Sequence, residues 1–384
     1  MKHIGRCPSP AALLAISFIA AASALAPMTA AGASDPPFLP RTVVSSTVPE
    51  NGDGNPYGVA IVPPGFPSGG TIAAGDVLVS NFNNSDNLQG TGTTIIKLTP
   101  NGSVAPSGKA SVFFDQASTP FPGSSAGLTT ALGVLKRGFV LVGSVSTTDG
   151  KFDTIQGGPL LVLDRKGNPI SLITTNLDGP WDLTVDDHFD QARVFVANVL
   201  NGTVTRLDLT VTASTVMVKA ATVIASKYTS VPNGTALVLG PTGLAYDPLA
   251  DVLFVASTAD NAIFAVQHAG TSTGSSGKGN LVFQDDHLRG PLALAFAPNG
   301  DLITANGDAV NDDPTQPSEI VEFARTGRFV RQFNVDAAEG GAFGIAIANV
   351  GPFVRFAYVD DNANDLTVID QPNPGLFFDG LRLQ

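Results

Sequence analysis

The chain has 384 residues and a net charge of −12, with 33 acidic against 21 basic side chains. That balance argues against nucleic acid and against an anionic membrane surface, since both are held through clustered Lys and Arg. Only 14% of the residues are charged, while Gly numbers 41 and Pro 28, a turn-rich composition that favours many short strands over long helices.

The first 33 residues read as a signal peptide. Lys2 and Arg6 supply a basic start, Ala11 to Ala26 is a short apolar run, and Ala31-Gly32-Ala33 offers a cleavage site before Ser34; Ala24-Leu25-Ala26 is a second candidate. The expected product is bacterial, secreted or periplasmic, with no integral membrane segment after cleavage. Cys7, the only cysteine, lies inside this peptide, so the expected mature chain has no thiol, disulfide or Cys metal site.

Residues 34–54 form a Pro- and Gly-rich lead-in with one strand-like run, Arg41 to Val48. From residue 55 to 384 a unit of short strands recurs. It begins near Pro56, Ala126, Pro180, Pro241, Pro291 and Ala342. The third copy is the clearest: WDLTV from Trp181, ARVFVAN from Ala192 and GTVTRLDL from Gly202, separated by Asp/Asn/Gly turns. A fourth run follows most third strands, as at Ser111 to Phe114, Leu281 to Phe283 and Phe329 to Phe333. Six units of about four strands predict an all-β fold, a six-bladed β-propeller of four-stranded antiparallel blades. The first run of each unit is small and apolar, which suits an innermost strand, with Val59, Leu128, Leu183, Leu244, Leu294 and Ile345 at equivalent places. A right-handed β-helix is the alternative, although its repeats would be shorter and more uniform. Either Arg41 to Ser46 or Leu376 to Leu383 supplies the strand that closes the ring.

The motif P-x-G-[VLI]-A, then [VL]-[FL]-V-[AS]-[NS], then a polar turn and [IV]-x-x-[VFL], resembles the NHL-repeat propellers. It is also similar to the wider six-bladed group of gluconolactonases and virginiamycin B lyase, over roughly residues 55 to 371. The resemblance implies fold more than activity. In lactonase-like members it implies one divalent cation at the channel mouth, held by Glu, Asn and Asp near the starts of inner strands. Here the matching positions hold Tyr57, Trp181, Thr242, Leu292 and Phe343, and Glu50 is separated from Pro56 by NGDGN. The lyase needs His and Glu on one face, and no matching cluster stands here.

In a propeller, the loops entering the inner strands and those joining second to third strands share one face. That places Tyr57, Asn81, Trp181, Asn198, His287, Arg289, Asn306 and Phe343 together as candidate ligand-binding residues. The same face carries Asx-rich loops at 81–87, 258–261, 306–313 and 360–365. Hard cations take oxygen ligands, so Asp308, Asp312, Asp313, Asp360 and Asn362 are candidate ligands for Ca²⁺ or another divalent cation. The competing reading of each loop is turn chemistry. Trp181 either stacks a ligand at the channel entrance or plugs the channel. Asp285, Asp286 and His287 form either an acid–base group or a charged loop. Asp164, Asp208 and Asp370 recur at the ends of third strands and read as structural.

Neither G-x-S-x-G nor H-E-x-x-H occurs. Two functions of different class follow. The first is a binding propeller that takes a small molecule, glycan or protein, but not nucleic acid, on the Asx-rich face. The second is a metal-dependent lactonase, hydrolase or lyase.

Overall fold

The computed structural model describes residues 39–100, 111–121, 127–307, 314–315 and 317–373. Strand β1 (Arg41–Ser46) precedes six four-stranded antiparallel sheets. Blade 1 comprises β2 (Gly54–Ile61), β3 (Val77–Asn83), β4 (Thr94–Leu98) and β5 (Ser111–Asp115). Blade 2 comprises β6 (Leu128–Leu135), β7 (Phe139–Ser144), β8 (Leu160–Asp164) and β9 (Pro169–Ile173), and blade 3 β10 (Pro180–Asp187), β11 (Gln191–Asn198), β12 (Thr203–Val211) and β13 (Val216–Ala225). A hairpin of β14 (Val231–Asn233) and β15 (Leu237–Leu239) lies in the connection to blade 4, which is β16 (Pro241–Asp247), β17 (Val252–Ser257), β18 (Ala262–Gln267) and β19 (Asn280–Phe283). Blade 5 is β20 (Pro291–Phe296), β21 (Leu302–Asn306), β22 (Glu319–Phe323) and β23 (Phe329–Asn334). Blade 6 is β24 (Ala342–Val350), β25 (Phe353–Asp360) and β26 (Asp365–Pro372), completed by β1.

The inner strands pack in ring order β2, β6, β10, β16, β20, β24 and back to β2. The architecture is therefore the six-bladed β-propeller that the repeats predict. The N-terminal strand closes the ring, pairing antiparallel with β26 from Arg41↔Asp370 to Ser46↔Asp365. Leu376 to Leu383 lies outside the described residues. Among the described residues the only helix is a single 3₁₀ turn, Phe152–Thr154, and no helix is long and apolar enough to cross a membrane.

Turn chemistry explains the short strands. Asp251 (φ 53°) and Asn261 (φ 48°) turn the two hairpins of blade 4 in the left-handed region that Asx side chains tolerate. The apolar faces meet between neighbouring blades. Leu141, Val162, Leu183 and Val194 share one cluster across blades 2 and 3, and Phe254, Phe283, Leu294 and Phe323 share another across blades 4 and 5. No blade can bury both faces alone, so the ring folds as a unit.

One equivalence predicted from the sequence shifts. Leu183, Leu244, Leu294 and Val59 pair with Val196, Val255, Thr304 and Val79, each just after a register break in the inner strand. In blade 2 the residue in that place is Leu132, paired with Val142, whereas Leu128 pairs with Ser144 at the strand start. The bulge there holds Thr129, Thr130 and Ala131, one residue more than in blade 1, where Tyr57 and Gly58 fill it.

Candidate functional site

Every inner strand carries a bulge near its start, after the first residue in blades 2 to 6 and after Pro56, the third residue, in blade 1, as the register breaks at Pro56/Val59, Pro180/Asp182, Pro241/Leu244, Pro291/Leu294 and Ala342/Ile345 show, with the longer break in blade 2. A bulge bends its strand and re-aims side chains. Here it sends two successive residues toward the axis. The first of each pair faces the entry face, and the second lies beneath it.

The first residues build a plug. Tyr57 stacks on Phe82 at 5.2 Å between ring centroids, and Phe343 lies 4.9 Å from Tyr57. Trp181 meets Tyr57 edge-on at 5.8 Å and Phe82 at 5.5 Å. The Trp181 Nε1–H donates to the Tyr57 hydroxyl at 3.3 Å. Leu292 joins them, and the β14–β15 hairpin lowers Leu237 and Val238 onto the same cluster. Trp181 is 1% exposed. The space left between Trp181, Val238, Thr242 and Leu292 is about 10 Å³, at or below what one water needs. Of the two readings of Trp181, the structure places it as the plug.

The second residues are Gly58, Asp182, Gly243, Ala293 and Gly344; all but Gly243, together with Thr130, line a well of about 280 Å³ below the plug. Glycine is required at two of these places: a Cβ on Gly243 would stand 2.3 Å from the Leu292 carbonyl oxygen, and one on Gly344 2.1 Å from that of Tyr57. Val59, Leu132, Leu183, Leu244, Leu294 and Ile345, one per blade, wall the well, and Tyr246, Phe296 and Ile347 line it toward the ends of their strands. Hydroxyls tie the bulges together: Ser80 Oγ donates to Thr129 O (2.7 Å), Thr129 Oγ1 to Pro180 O (2.8 Å), Thr130 to Trp181 O, and Thr258 Oγ1 to Pro291 O (2.8 Å).

Asp182 is the single charged residue of this lining. Its Oδ1 accepts the Leu183 N–H at 2.7 Å, and the Leu244 N–H also points at the carboxylate. No cationic side chain pairs with it among the described residues. Burial pushes its pKa well above the ordinary carboxylate range, and the two backbone donors offset this only in part. Sequence reasoning read Asp182 as one residue of the strand WDLTV and passed over it. The signal was present: aligned on the strand-opening residue, Asp182 stands where the other units carry Gly58, Gly243, Ala293 and Gly344.

The residues predicted from the sequence as ligand-binding all make contacts within the fold, and of them Tyr57 also lines the well. Tyr57, Trp181 and Phe343 are spent on one another in the plug. Asn81, Asn198 and Asn306 do occupy one repeat position, at the end of the second strand, but each is fully buried. Asn81 Nδ2 donates to Thr47 O and Thr94 Oγ1, both at 3.1 Å, while its Oδ1 takes no partner. Asn198 Nδ2 donates to Thr205 Oγ1 (2.9 Å) and its Oδ1 accepts the Asp178 N–H (3.1 Å). Asn306 Oδ1 accepts the Arg289 N–H (2.9 Å), and its Nδ2 donates to His287 O and Glu319 Oε2. They fasten loops to blades. His287 stacks on Phe329 of β23, the outer strand of blade 5, with ring centroids 3.6 Å apart, and contacts Asp285. That puts its ring in the outer seam between blades 4 and 5. Arg289 Nε donates to Asp286 O.

Of the candidate cation ligands, Asp308, Asp312 and Asp313 lie outside the described residues. Asn362 Nδ2 donates to Asp336 Oδ2 and Glu339 O, both at 2.9 Å. Asp360 faces Asp336 and Asp365; burial first, then these like charges, raise its pKa. Among the described residues no three His, Asp or Glu converge as a metal-ligand set. Nor do Tyr57, Trp181, Thr242, Leu292 and Phe343 fit the cation of the lactonase-like propellers, because none is a carboxylate or amide and the two hydroxyls among them bond Trp181, Thr258 and the Pro291 carbonyl.

No protein-family model matches the chain, and no curated protein matches it. Solved structures do. A gluconolactonase from Xanthomonas campestris is similar over 87% of this chain and 90% of its own, with a TM-score of 0.51 at 13% identity. A luciferin-regenerating enzyme covers 87% of this chain and 96% of its own (TM-score 0.49, 10% identity), and virginiamycin B lyase from Staphylococcus aureus covers 86% and 99% (TM-score 0.44, 12% identity). At such identities the likeness to the Xanthomonas protein speaks for architecture alone, and this chain shares with it the six-bladed β-propeller fold.

Proposed function

We propose that this protein is a small-molecule-binding propeller whose site is the axial well, entered from the face opposite the aromatic plug. The observation that carries the reading is Asp182, a carboxylate without a cationic partner in a cavity whose other walls are neutral. A concave, mostly apolar cavity with one placed polar group is the usual form of a ligand site. A carboxylate without a counter-charge in an apolar cavity costs stability, which is understandable where a ligand uses it. The well is small, at about 280 Å³, so the ligand is compact. A hydrolase or lyase reading would need a second acid–base group beside Asp182, and the tyrosines of the lining, Tyr57 and Tyr246, bond Trp181 and Asp251. We also propose that the protein works outside the cytoplasm, on the strength of the signal-peptide pattern at residues 1–33.

The test is a fragment screen on the mature protein by ligand-observed NMR, repeated on Ala295→Leu and Ala346→Leu. Both alanines line the well and keep some exposure, but each also packs on a core cluster, so a cooperative melt of each variant is established before the screen. Fragments that bind the parent and are lost in both folded variants support the reading. A screen without such fragments overturns it.

A further inference from the structure

We propose that the ligand of the axial well is a compact organic monocation, an ammonium group on an apolar body, with Asp182 as its counter-ion. This inference rests on the well being the binding site and adds the chemistry of what enters it.

The geometry sorts the well into two ends. Asp182 follows Trp181 directly, so its carboxylate lies at the blind end under the plug. Six aliphatic side chains, Val59, Leu132, Leu183, Leu244, Leu294 and Ile345, surround the axis beyond it. An anionic ligand would meet a negative charge and no positive one. A neutral ligand gains at most a neutral hydrogen bond from Asp182, whereas a cation gains a charge-assisted one, roughly twice as strong. An ammonium supplies the missing charge and up to three donors, and its apolar body matches the aliphatic wall. A guanidinium or a dication fits less well, since one carboxylate cannot neutralise the second charge or fill the five-donor fork.

Protonation couples to this binding. Burial favours the neutral form of Asp182 in the free protein. An arriving ammonium favours the anion, so binding drives a proton from Asp182 to the buffer, and affinity rises with pH through the range where free Asp182 titrates. Other titratable groups facing the well are Tyr57 and Tyr246. Tyr57 accepts from Trp181 Nε1, and Tyr246 donates to Asp251 Oδ1 at 3.0 Å with its pKa pushed up to about 12, chiefly by burial. The charged residues of the adjoining strand ends are engaged elsewhere: Asp187 with Lys136, Asp186 with Arg193 and His188, and Asp247 with Arg325. Tyr246 does not ionise near neutrality, so the proton released on binding is assigned to Asp182.

The experiment is calorimetric titration of the mature protein with n-butylammonium and benzylammonium, and with n-butanol and benzyl alcohol as neutral isosteres. It is run in two buffers of different ionisation enthalpy, on the parent, Asp182→Asn, Asp182→Ala and Ala295→Leu. Ala293 already fills the equivalent place in blade 5, so Asp182→Ala is a fold-compatible second variant. The expected result is that the amines bind the parent roughly tenfold or more tighter than the alcohols, the size of one hydrogen bond to a charged group. Both Asp182 variants should lose that preference, and proton release should appear in the parent alone. If alcohols bind as tightly as amines, or if Asp182→Asn leaves amine affinity unchanged, the monocation inference is overturned while the well stands, provided Ala295→Leu abolishes binding. If Ala295→Leu leaves binding intact, or no probe of either class binds, the well reading falls and the monocation inference with it.

Discussion

Arg355 and Asp370 face each other across β25 and β26 as a two-pronged ion pair, Nε to Oδ1 and Nη2 to Oδ2 both at 2.7 Å. The guanidinium is 1% exposed and also donates through Nη1 to the Gly75 carbonyl of blade 1. The pair therefore sits in the seam that the ring must close, with β1 paired alongside it through Arg41↔Asp370.

Removing one member of a buried pair strands the other charge, a loss of about 3–5 kcal/mol. Arg355→Leu should therefore lower the melting temperature strongly, and Arg355→Leu with Asp370→Leu should recover much of the loss. Blade 3 supplies the control, because Arg193 and Asp208 occupy the same cross-strand positions. There the charges are 38% and 31% exposed and 3.9 Å apart, and because Asp208 also holds the buried Arg206 at 3.1 Å the control is Arg193→Gln, which should cost no more than about 1 kcal/mol. Equal losses at the two sites would show that ring closure does not depend on the blade 6 pair.

Trp181 is the only tryptophan, so its fluorescence reports the plug without interference. Emission should be blue-shifted and insensitive to iodide. Trp181→Ala should cost about 3–5 kcal/mol, as for other large buried aromatics. Tyr57→Phe removes the hydroxyl that accepts Nε1–H and should cost at least about 1 kcal/mol. Iodide quenching in the parent at the level of free tryptophan would mean that the entry face is open.

Strands were legible because each repeat writes its inner strand as a small apolar run and its second strand as a denser one such as VFVAN. The ends of the ring were half legible: Arg41 to Ser46 has strand composition, but so has the C-terminal run, and only the register with β26 decides. The closure of the entry face was not legible. It depends on Leu237 and Val238 arriving from a connection that reads as turns, and on six bulges turning their first residues inward, a contact among positions far apart in sequence. For the same reason the buried amides of Asn198 and Asn306 look, from sequence, like surface Asx residues. Asp182 was legible in principle, as the one acidic residue in a column otherwise of glycine, alanine and threonine, yet its isolation from any cation is a property of the assembled ring.

Export is open to a direct check. Lys2 and Arg6, the apolar run and Ala31-Gly32-Ala33 predict removal of residues 1–33. N-terminal sequencing of protein recovered outside the cytoplasm should begin at Ser34. Recovery of such protein beginning at Met1 would sink the expectation.

Asp360 and Asp365 are direct cross-strand partners at the β25–β26 turn, and Asp336 adds a third negative charge near Asp360. Like charges opposed in this way destabilise a hairpin by roughly 0.2–1 kcal/mol. Burial and this repulsion raise the Asp360 pKa, and burial raises that of Asp365. The folded state thus takes up protons more readily than the unfolded chain, and the penalty grows as pH rises through the carboxylate range. Asp360→Asn should raise the melting temperature at pH 7 and lose that advantage toward pH 4. If instead millimolar Ca²⁺ stabilises the parent after chelation and Asp360→Asn abolishes the effect, the carboxylates hold an ion.

Asp182 should behave as a group retained at the expense of stability. Its folded pKa lies above the unfolded value of about 3.9. Below that value both states are protonated and the residue costs nothing through ionisation. As pH rises past it, the unfolded chain ionises while the folded protein resists, so stability falls until the folded pKa is reached and is flat beyond. Asp182→Asn keeps an acceptor for the Leu183 and Leu244 N–H groups but cannot ionise. The variant should melt higher than the parent at pH 7 and match it near pH 3.5, the difference between the two curves cancelling the titration of every other carboxylate. Trp181, the preceding residue, should show a pH-dependent change in emission in the parent that is missing from the variant. Coincident melting curves at both pH values, with no titration of Trp181 emission, would mean that Asp182 is well solvated, and the argument for an anion held in reserve at the blind end of the well would lose its physical basis.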